Sequence, residues 1–566
     1  MGFAPVCVIH RDLYASIVKT IHEAYAGKPT QIIPFSVDPP GTQSYDARVT
    51  KALKRGLLMI AKYLRDLGVE FRGYNGNKLL CDLMAGLTTA SVALPLALAF
   101  GVSCGADAAA GLVTAIAAGL VIGTLSGASY QISGPTGAMS AILIGVAARH
   151  GIDGVLLAGL LSGALLILMS LLNVGGLVKF IPSPVIAGFT SGIAVVIALG
   201  QVDNFFGVRS GGVDLMEKLL SYRELGFSPN LHTMLLGLMA IGIMVVWPRK
   251  WPVPGSLVAI AAALIVNVLI NPASAVVREV GEIPRSLLGS NRLSLGALSL
   301  RDLTDAFSPA VSIAALGMIE SLLCGLSAGR MKEETMDARR ELMAQGIGNL
   351  LMPLIGGVPA TAAIARTSVA IKAGQKTRLT GVIHSLALIA SMFLLGSVMS
   401  RIPLAALAGV LMVTAWRMNE WAAIRQIFAS RMKHAILMYL VTLFCTVLFD
   451  LTIAIAAGVL VAAISFVVKS AQLSVTAEDA NDGRRVIRLH GALFFGTQGR
   501  IQRIEELAEG ANDITIDLSS AYSADLSALS ALHELHEQLA ARGVTVRIVG
   551  ARPELNREMG RIGMVE

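Results

Sequence analysis

The run TTASVALPLALAFGVSCGADAAAGLVTAIAAGLVIGTL, which begins at Thr88, carries one charged side chain, Asp107. A helix needs about 20 apolar residues to cross a bilayer, and comparable stretches recur from about residue 77 to about residue 470. Hydrocarbon offers no partner for a backbone N–H or C=O, so apolar runs of this length can lie in a membrane only as helices. Composition agrees: 54% of the 566 residues are hydrophobic and 15% charged, with a mean hydropathy of +0.68. Water-soluble chains of this size are far more polar. The chain reads as a polytopic membrane protein.

Three regions follow from the change in composition. Residues 1–76 are polar and rich in Lys and Arg, with a possible amphipathic helix at ALKRGLLMIAKYLRDLG and no apolar stretch resembling a cleaved signal. Residues 77–469 form a transmembrane domain of about fourteen helices. Residues 470–566 form a soluble α/β domain, with RRVIRLHGALFF, DITIDL and VTVRIV as strands and ADLSALSALHELHEQLAARG as an amphipathic helix. With an even number of crossings, WPRKWP, GRMKEETMDARRE, KAGQKTR and RQIFASRMKH all fall on one side, and each is rich in Lys or Arg. The positive-inside rule then puts both termini in the cytoplasm. The same rule accounts for the net charge of +8 without a nucleic-acid partner. The five cysteines form no CxxC pair, so neither a disulfide framework nor a zinc site is expected.

Two segments differ from the other apolar runs. ISGPTGAMSAILIGVAARHG (Ile132–Gly151) and IGGVPATAAIARTSVAIKAG (Ile355–Gly374) each begin with Gly, Pro and small polar residues, then run apolar for a short stretch. Paired short segments of this kind, one in each half, mark an inverted-repeat transporter whose site lies between half-helices. A helix that starts inside the membrane aims unpaired N–H groups and about half a positive charge at that point. Two such starts facing one another make an anion pocket.

Arg366 lies in the second segment, about two turns into the expected half-helix, where it can add its full charge to that pocket; otherwise it snorkels to the interface or pairs with a buried acid. Glu320, in ALGMIESLLCGLSAG, is the other intramembrane charge. It can take up a coupling proton, sit beside a coupling cation, or form a static ion pair with Arg366. Ser133, Thr136 and Thr361 are hydroxyl ligands or helix caps. Pro95 is expected to break the first helix, and Asp450 to cap the last. Walker A, HExxH and GxSxG signatures are absent, which argues against an enzyme or a primary pump. His533 and His536 lie one turn apart on a helix and read as a solvated face. No cofactor or metal is expected.

The motifs LPLALAFG, SGPTGAMSAI, IPSPVIAGFTSGIA, ALGMIESLLCG, QGIGNLLMPLIGGVPATAAIARTSVAIKAGQKTRLTGVIHS and TVLFDLTIAIAAG occur in this order. Together they resemble the SulP family of anion transporters, over about residues 79 to 562, and within it the bacterial branch that takes C4-dicarboxylates by proton symport. The resemblance implies an all-α membrane domain built as a seven-plus-seven inverted repeat with two half-helices. It also implies a core that rocks or slides against a gate, a homodimer in the bacterial inner membrane, and a C-terminal cytoplasmic STAS domain open to a cytosolic partner. By position, Thr136, Gly137 and Ala138 open one half-helix, and Ala360, Thr361 and Ala362 open the other, with Arg366 following. Sodium-coupled bicarbonate members carry Asp at the position of Glu320 and Thr at that of Cys324, so a proton is the expected coupling ion and Glu320 its carrier. Leu96 stands where some vertebrate exchangers carry Gln, which suits an organic anion. Leu526 replaces the phosphorylatable Ser of regulated STAS domains, with Ser527 beside it. The expected function is secondary uptake of C4-dicarboxylates or sulfate-like anions by proton symport. Sodium-coupled bicarbonate transport, an anion channel and a membrane-anchored scaffold are the alternatives.

Overall fold

A computed structural model describes residues 62–564, less 177–180, 212–214, 249–250, 252, 271–276, 284–285, 290, 295, 297–298, 450, 471–472, 480–483 and 523–524. Asp450 and most of the amphipathic stretch Ala52–Gly68 therefore lie outside the described residues; 62–70 are helical. The chain divides into two compact units. One comprises Met1–Ile181, Phe189–Trp421 and Leu443–Thr452, and the other Pro182–Gly188, Ala422–Thr442 and Ile453–Glu566.

Asp107 explains how the opening apolar run is divided. Its carboxylate accepts the Ala110 N–H at 2.6 Å, so it caps a new helix rather than sitting within a long one. Helix α1 (Gly76–Ser103) ends before it, and α2 (Ala108–Ala117) begins after it, continuing through a π-turn at Ala118–Ile122 to Leu125. Pro95 does not break α1, contrary to the sequence expectation: the helix runs through it, with Leu94–Gly101 all buried. A proline removes one N–H, and close packing in a membrane helix tolerates that loss.

Strand β1 (Ser133–Gly134) leads into α3 (Gly137–Leu171), which Gly151 divides into two arms by leaving helical geometry at φ 67° and ψ −171°. The chain continues through α4 (Ser183–Gly200), α5 (Leu231–Val246), α6 (Gly255–Ile270), α7 (Leu300–Lys332) and α8 (Ala338–Ile355). Then follow strand β2 (Thr361–Ala362), the short helix α9 (Ile364–Lys372), α10 (Leu379–Met399), α11 (Leu404–Met418), α12 (Lys433–Leu448) and α13 (Leu451–Ser470). Among the described residues, 7 helices are long and apolar enough to cross a membrane, accompanied by four shorter apolar ones.

A buried carboxylate fixes α10 against α1. Asp82, 0% exposed, accepts hydrogen bonds from Lys376 N, Thr377 N, Thr377 Oγ1 and Thr380 Oγ1 at 2.6–3.1 Å, and from Tyr74 OH at 2.9 Å. So many donors satisfy a buried charge that would otherwise be prohibitive. The loop between α9 and α10 is thereby held at the start of α1.

The C-terminal region is a four-stranded sheet in the order β3 (Ser474–Asp479), β4 (Arg485–Ala492), β5 (Asp513–Tyr522), β6 (Thr545–Val549). The β3–β4 pair is antiparallel and the other two pairs are parallel. Sequence reading located β4, β5 and β6 and missed β3, whose residues are mostly exposed. Helix α14 (Leu526–Ala541) buries Leu529, Leu532, Leu535 and Leu539 against Ile487, Leu489, Ile514, Ile516 and Leu518 of the strands. That spacing is one helical stripe. His533 and His536 lie off it, and among the described residues no group of three or more His, Cys, Asp or Glu could hold a metal ion.

Candidate functional site

The two unusual segments meet. β1 and β2 pair antiparallel, Ser133 opposite Ala362 and Gly134 opposite Thr361, and the chain on either side turns directly into α3 and α9. Strands of two residues cannot hold themselves together, and buried side chains from other helices supply the support. Asn349 of α8 takes the Ala360 N–H on Oδ1 at 2.7 Å and gives Nδ2 to the Ala360 carbonyl at 2.9 Å, as a neighbouring strand would. Thr114 of α2 accepts the Val358 N–H at 2.8 Å. Gln345 donates to Ser133 Oγ at 3.2 Å and to Glu341 Oε1 at 2.9 Å. Ser321 of α7 lies 2.8 Å from Thr361 Oγ1, and Gln131 Nε2 reaches the Ser321 carbonyl at 2.8 Å. Thr367 Oγ1 accepts the Ile132 N–H at 3.0 Å, and Ala363 N donates to the Ile132 carbonyl at 3.0 Å.

These frame residues were not anticipated, although α8 carries a signal for them. Glu341, Gln345 and Asn349 repeat every fourth residue and are all 0% exposed, which forms a polar stripe on a membrane helix. Such stripes face the protein interior.

Thr136 is the N-cap of α3 and accepts the Met139 N–H at 3.3 Å. The Gly137 and Ala138 amides stand in the first turn, where a helix offers them no acceptor. Gly137 fits under a hydrophobic cover: a Cβ there would come within 2.6 Å of Ile197 Cδ1 and 3.3 Å of Phe100 Cε1. The Thr136 hydroxyl in turn donates to Glu320 Oε2 at 3.0 Å. Glu320 is half-buried.

The second mouth is placed differently from the sequence expectation. Ala360, Thr361 and Ala362 do not open the half-helix; they lie ahead of it, extended and 0% exposed. Strand pairing and the Asn349 clamp hold them out of helical geometry, so α9 starts only at Ile364, after an Ala363 cap that has no side-chain bond. Arg366 therefore stands in the first turn of α9 rather than two turns in. The amides of Ile364, Ala365 and Arg366 are the ones without an intrahelical acceptor.

Arg366 joins the two mouths. It is 2% exposed, and Nη2 donates to the carbonyl of Pro135, just ahead of α3, at 2.5 Å. Its other amino group, Nη1, is buried with no hydrogen-bond partner among the described residues. Gly134 leaves room for it, since a Cβ there would overlap the guanidinium. Arg366 does not snorkel; Lys372, in the last turn of α9, is the exposed one. Glu320 is hydrogen-bonded to Thr136 and Arg366 to the Pro135 carbonyl, with no salt bridge between the two among the described residues. The arrangement holds two helix N-termini, one guanidinium with a free amino group, and one carboxylate on the rim. It favours an anion.

Residues 79–442 match the model of the sulfate permease family. The chain belongs to the sulfate permease family. Residues 476–566 of this family member match the STAS domain. The chain is 33% identical over 517 residues to YvdB of Bacillus subtilis, which carries a provisional name as a sulfate transporter, across 88% of this chain and 96% of the relative. Among solved structures, the transmembrane domain of the cyanobacterial bicarbonate transporter BicA aligns with a TM-score of 0.61 at 28% identity, covering 68% of this chain and 98% of that one. SLC26A9 aligns with a TM-score of 0.76 at 16% identity, over 95% of each chain; this likeness concerns the fold alone. The protein is thus a multi-pass membrane anion transporter with a C-terminal STAS domain, and not an enzyme.

Proposed function

We propose that this family member is a secondary active transporter of small anions, with C4-dicarboxylates as its preferred class and a proton as its coupling ion. The anion sits between the starts of α3 and α9, on the amides of Gly137 and Ala138 beside Thr136, and on Arg366. Ala360, Thr361 and Ala362 hold the second mouth in place through their main chain. Glu320, tied to Thr136, is the coupling group: a carboxylate touching the cap of the anion-binding helix responds to what binds there. A homodimer in the bacterial inner membrane, with both termini cytoplasmic and the STAS domain facing a cytosolic partner, completes the proposal.

The observation that carries this reading is the buried Arg366 guanidinium, which spans both mouths and keeps Nη1 unpaired. A permanently charged group in a low-dielectric interior needs a counter-charge, and a bound anion supplies one. Phe100, 5% exposed and set against Gly137 at the start of α3, suits a substrate with a carbon chain, as does Leu96 one turn before it on α1, 8% exposed.

The second reading, sodium-driven bicarbonate uptake, draws on the likeness to the bicarbonate transporter. Uptake of labelled succinate, sulfate and bicarbonate into proteoliposomes, under an inward proton gradient, an inward sodium gradient or neither, separates the two. Succinate accumulation driven by protons alone is expected. Bicarbonate accumulation driven by sodium would replace both the substrate and the role of Glu320 while keeping the pocket.

A further inference from the structure

The α3 mouth is covered by two side chains from outside the half-helix segments. Ile197 of α4 and Phe100 of α1 are 4% and 5% exposed, and both crowd the space that a Cβ on Gly137 would fill. Cβ positions on a helix lean towards its N-terminus, so this cover lies over the mouth itself. About one turn further along each covering helix stands a polar pair. Gln201, directly after α4 and 3% exposed, donates Nε2 to Ser103 Oγ at 3.0 Å.

The direction of that bond is set by its neighbours. Ser103, the last residue of α1, gives its own hydrogen to the Ala99 carbonyl at 2.8 Å. Its oxygen is left as an acceptor, so the amide nitrogen of Gln201 must face it. The Gln201 carbonyl oxygen accepts Asn204 Nδ2 at 3.4 Å. The pair stands at an edge of the packing, where Ser103 is half-buried and Gly105 exposed. Two apolar side chains would join α1 and α4 for good. A hydrogen bond whose partners can both turn to water is worth little net, and that suits a seam which opens and closes.

We propose that Ser103 and Gln201 latch α1 to α4, and that the latch holds Ile197 and Phe100 as a lid over the α3 mouth. The proposal rests on the placement of the anion at that mouth. Release of the latch lets the end of α4 part from α1 and uncovers the first turn of α3. A native side chain reports on the seam. Cys104 follows Ser103, is 1% exposed, and donates its thiol to Ser140 Oγ in the first turn of α3 at 3.3 Å. It is covered while the latch is closed and meets solvent when the seam parts.

The test is the rate at which a water-soluble maleimide modifies Cys104 in the purified full chain, with the labelled peptide identified by mass spectrometry. Labelling should be slow in the wild type and about fivefold faster in Ser103→Ala and in Gln201→Leu, the factor for one lost hydrogen bond. Ser103→Thr keeps the hydroxyl and should label at the wild-type rate. Cys324, 0% exposed and bonded to Thr367, lies away from the seam and should keep its wild-type rate in every variant. A Cys104 rate unchanged in both Ser103→Ala and Gln201→Leu overturns the proposal. So does an equal rise at Cys324, which marks general loosening rather than an opened lid. The two variants alter opposite sides of the latch, so either one that folds decides the matter. Faster Cys104 labelling alongside undiminished succinate binding in Arg366→Ala would uphold the closing contact and overturn the placement of the anion instead.

Discussion

The two mouths that face each other across β1 and β2 look alike in sequence and differ in chemistry. At α3, Thr136 caps the helix with its own side chain and passes its hydroxyl to Glu320. At α9, the Ala363 cap offers no side chain, and Arg366 stands in the first turn. One mouth is already partly satisfied and connected to a carboxylate. The other keeps its first-turn amides and a guanidinium nitrogen for a ligand. On the proposed reading, this difference in side chains makes the α3 mouth a sensor and the α9 mouth a holder.

If that division is right, the sharpest break comes from the holder. Arg366→Ala should lower anion uptake by about 100-fold or more, the loss of roughly 3 kcal/mol of charge-assisted hydrogen bonding, while membrane insertion and protein level hold. Uptake counted against surface-exposed protein reads this, and wild-type transport would remove Arg366 from the site.

The support beneath that mouth comes next. Asn349→Leu leaves the buried N–H and C=O of Ala360 without partners and should cost about 2 kcal/mol, seen as a lower unfolding midpoint in detergent. An unchanged midpoint would mean that β2 stands without the clamp.

Thr136→Val removes the cap of the other mouth and should weaken apparent substrate affinity about fivefold, in line with roughly 1 kcal/mol for a lost N-cap. Thr136→Ser should restore it. A Thr136→Val loss as large as that of Arg366→Ala would erase the distinction between the mouths.

The smallest effect concerns Asp337, which caps α8, the helix that carries Asn349, and pairs with Lys62 at 2.5 Å. Burial pushes its carboxyl up. The hydrogen bond from Lys62, the Arg340 N–H and the charges of both residues outweigh burial and hold the carboxyl below the usual carboxylate range. A group lowered on folding stabilises the protein above its ordinary pKa, and that contribution is lost as pH falls towards its folded value. Asp337→Asn should therefore lower the unfolding midpoint slightly at pH 7 and by less at pH 3. An equal effect at both values would show that charge plays no part.

The sequence made much of this legible. SGPTG and VPATA stand out because Gly and Pro interrupt apolar runs, and Arg366 because a guanidinium cannot lose its charge by deprotonation. What could not be read was where the second helix begins. That boundary depends on Asn349 and on strand pairing with Ser133, a residue more than two hundred positions away, and local propensity carries no trace of either. Pro95 misled for a related reason: its effect depends on what surrounds α1. The role of Asp82 has no local signal in the sequence, because its partners Thr377 and Thr380 lie almost three hundred residues downstream.

The most direct measurement is equilibrium binding of labelled succinate to purified protein, wild type against Arg366→Ala, with sulfate and bicarbonate as competitors. Saturable binding in the wild type that disappears in Arg366→Ala, while the variant keeps the wild-type unfolding midpoint, is the predicted result. Undiminished binding in a folded Arg366→Ala protein would contradict the placement of the anion between the two half-helices.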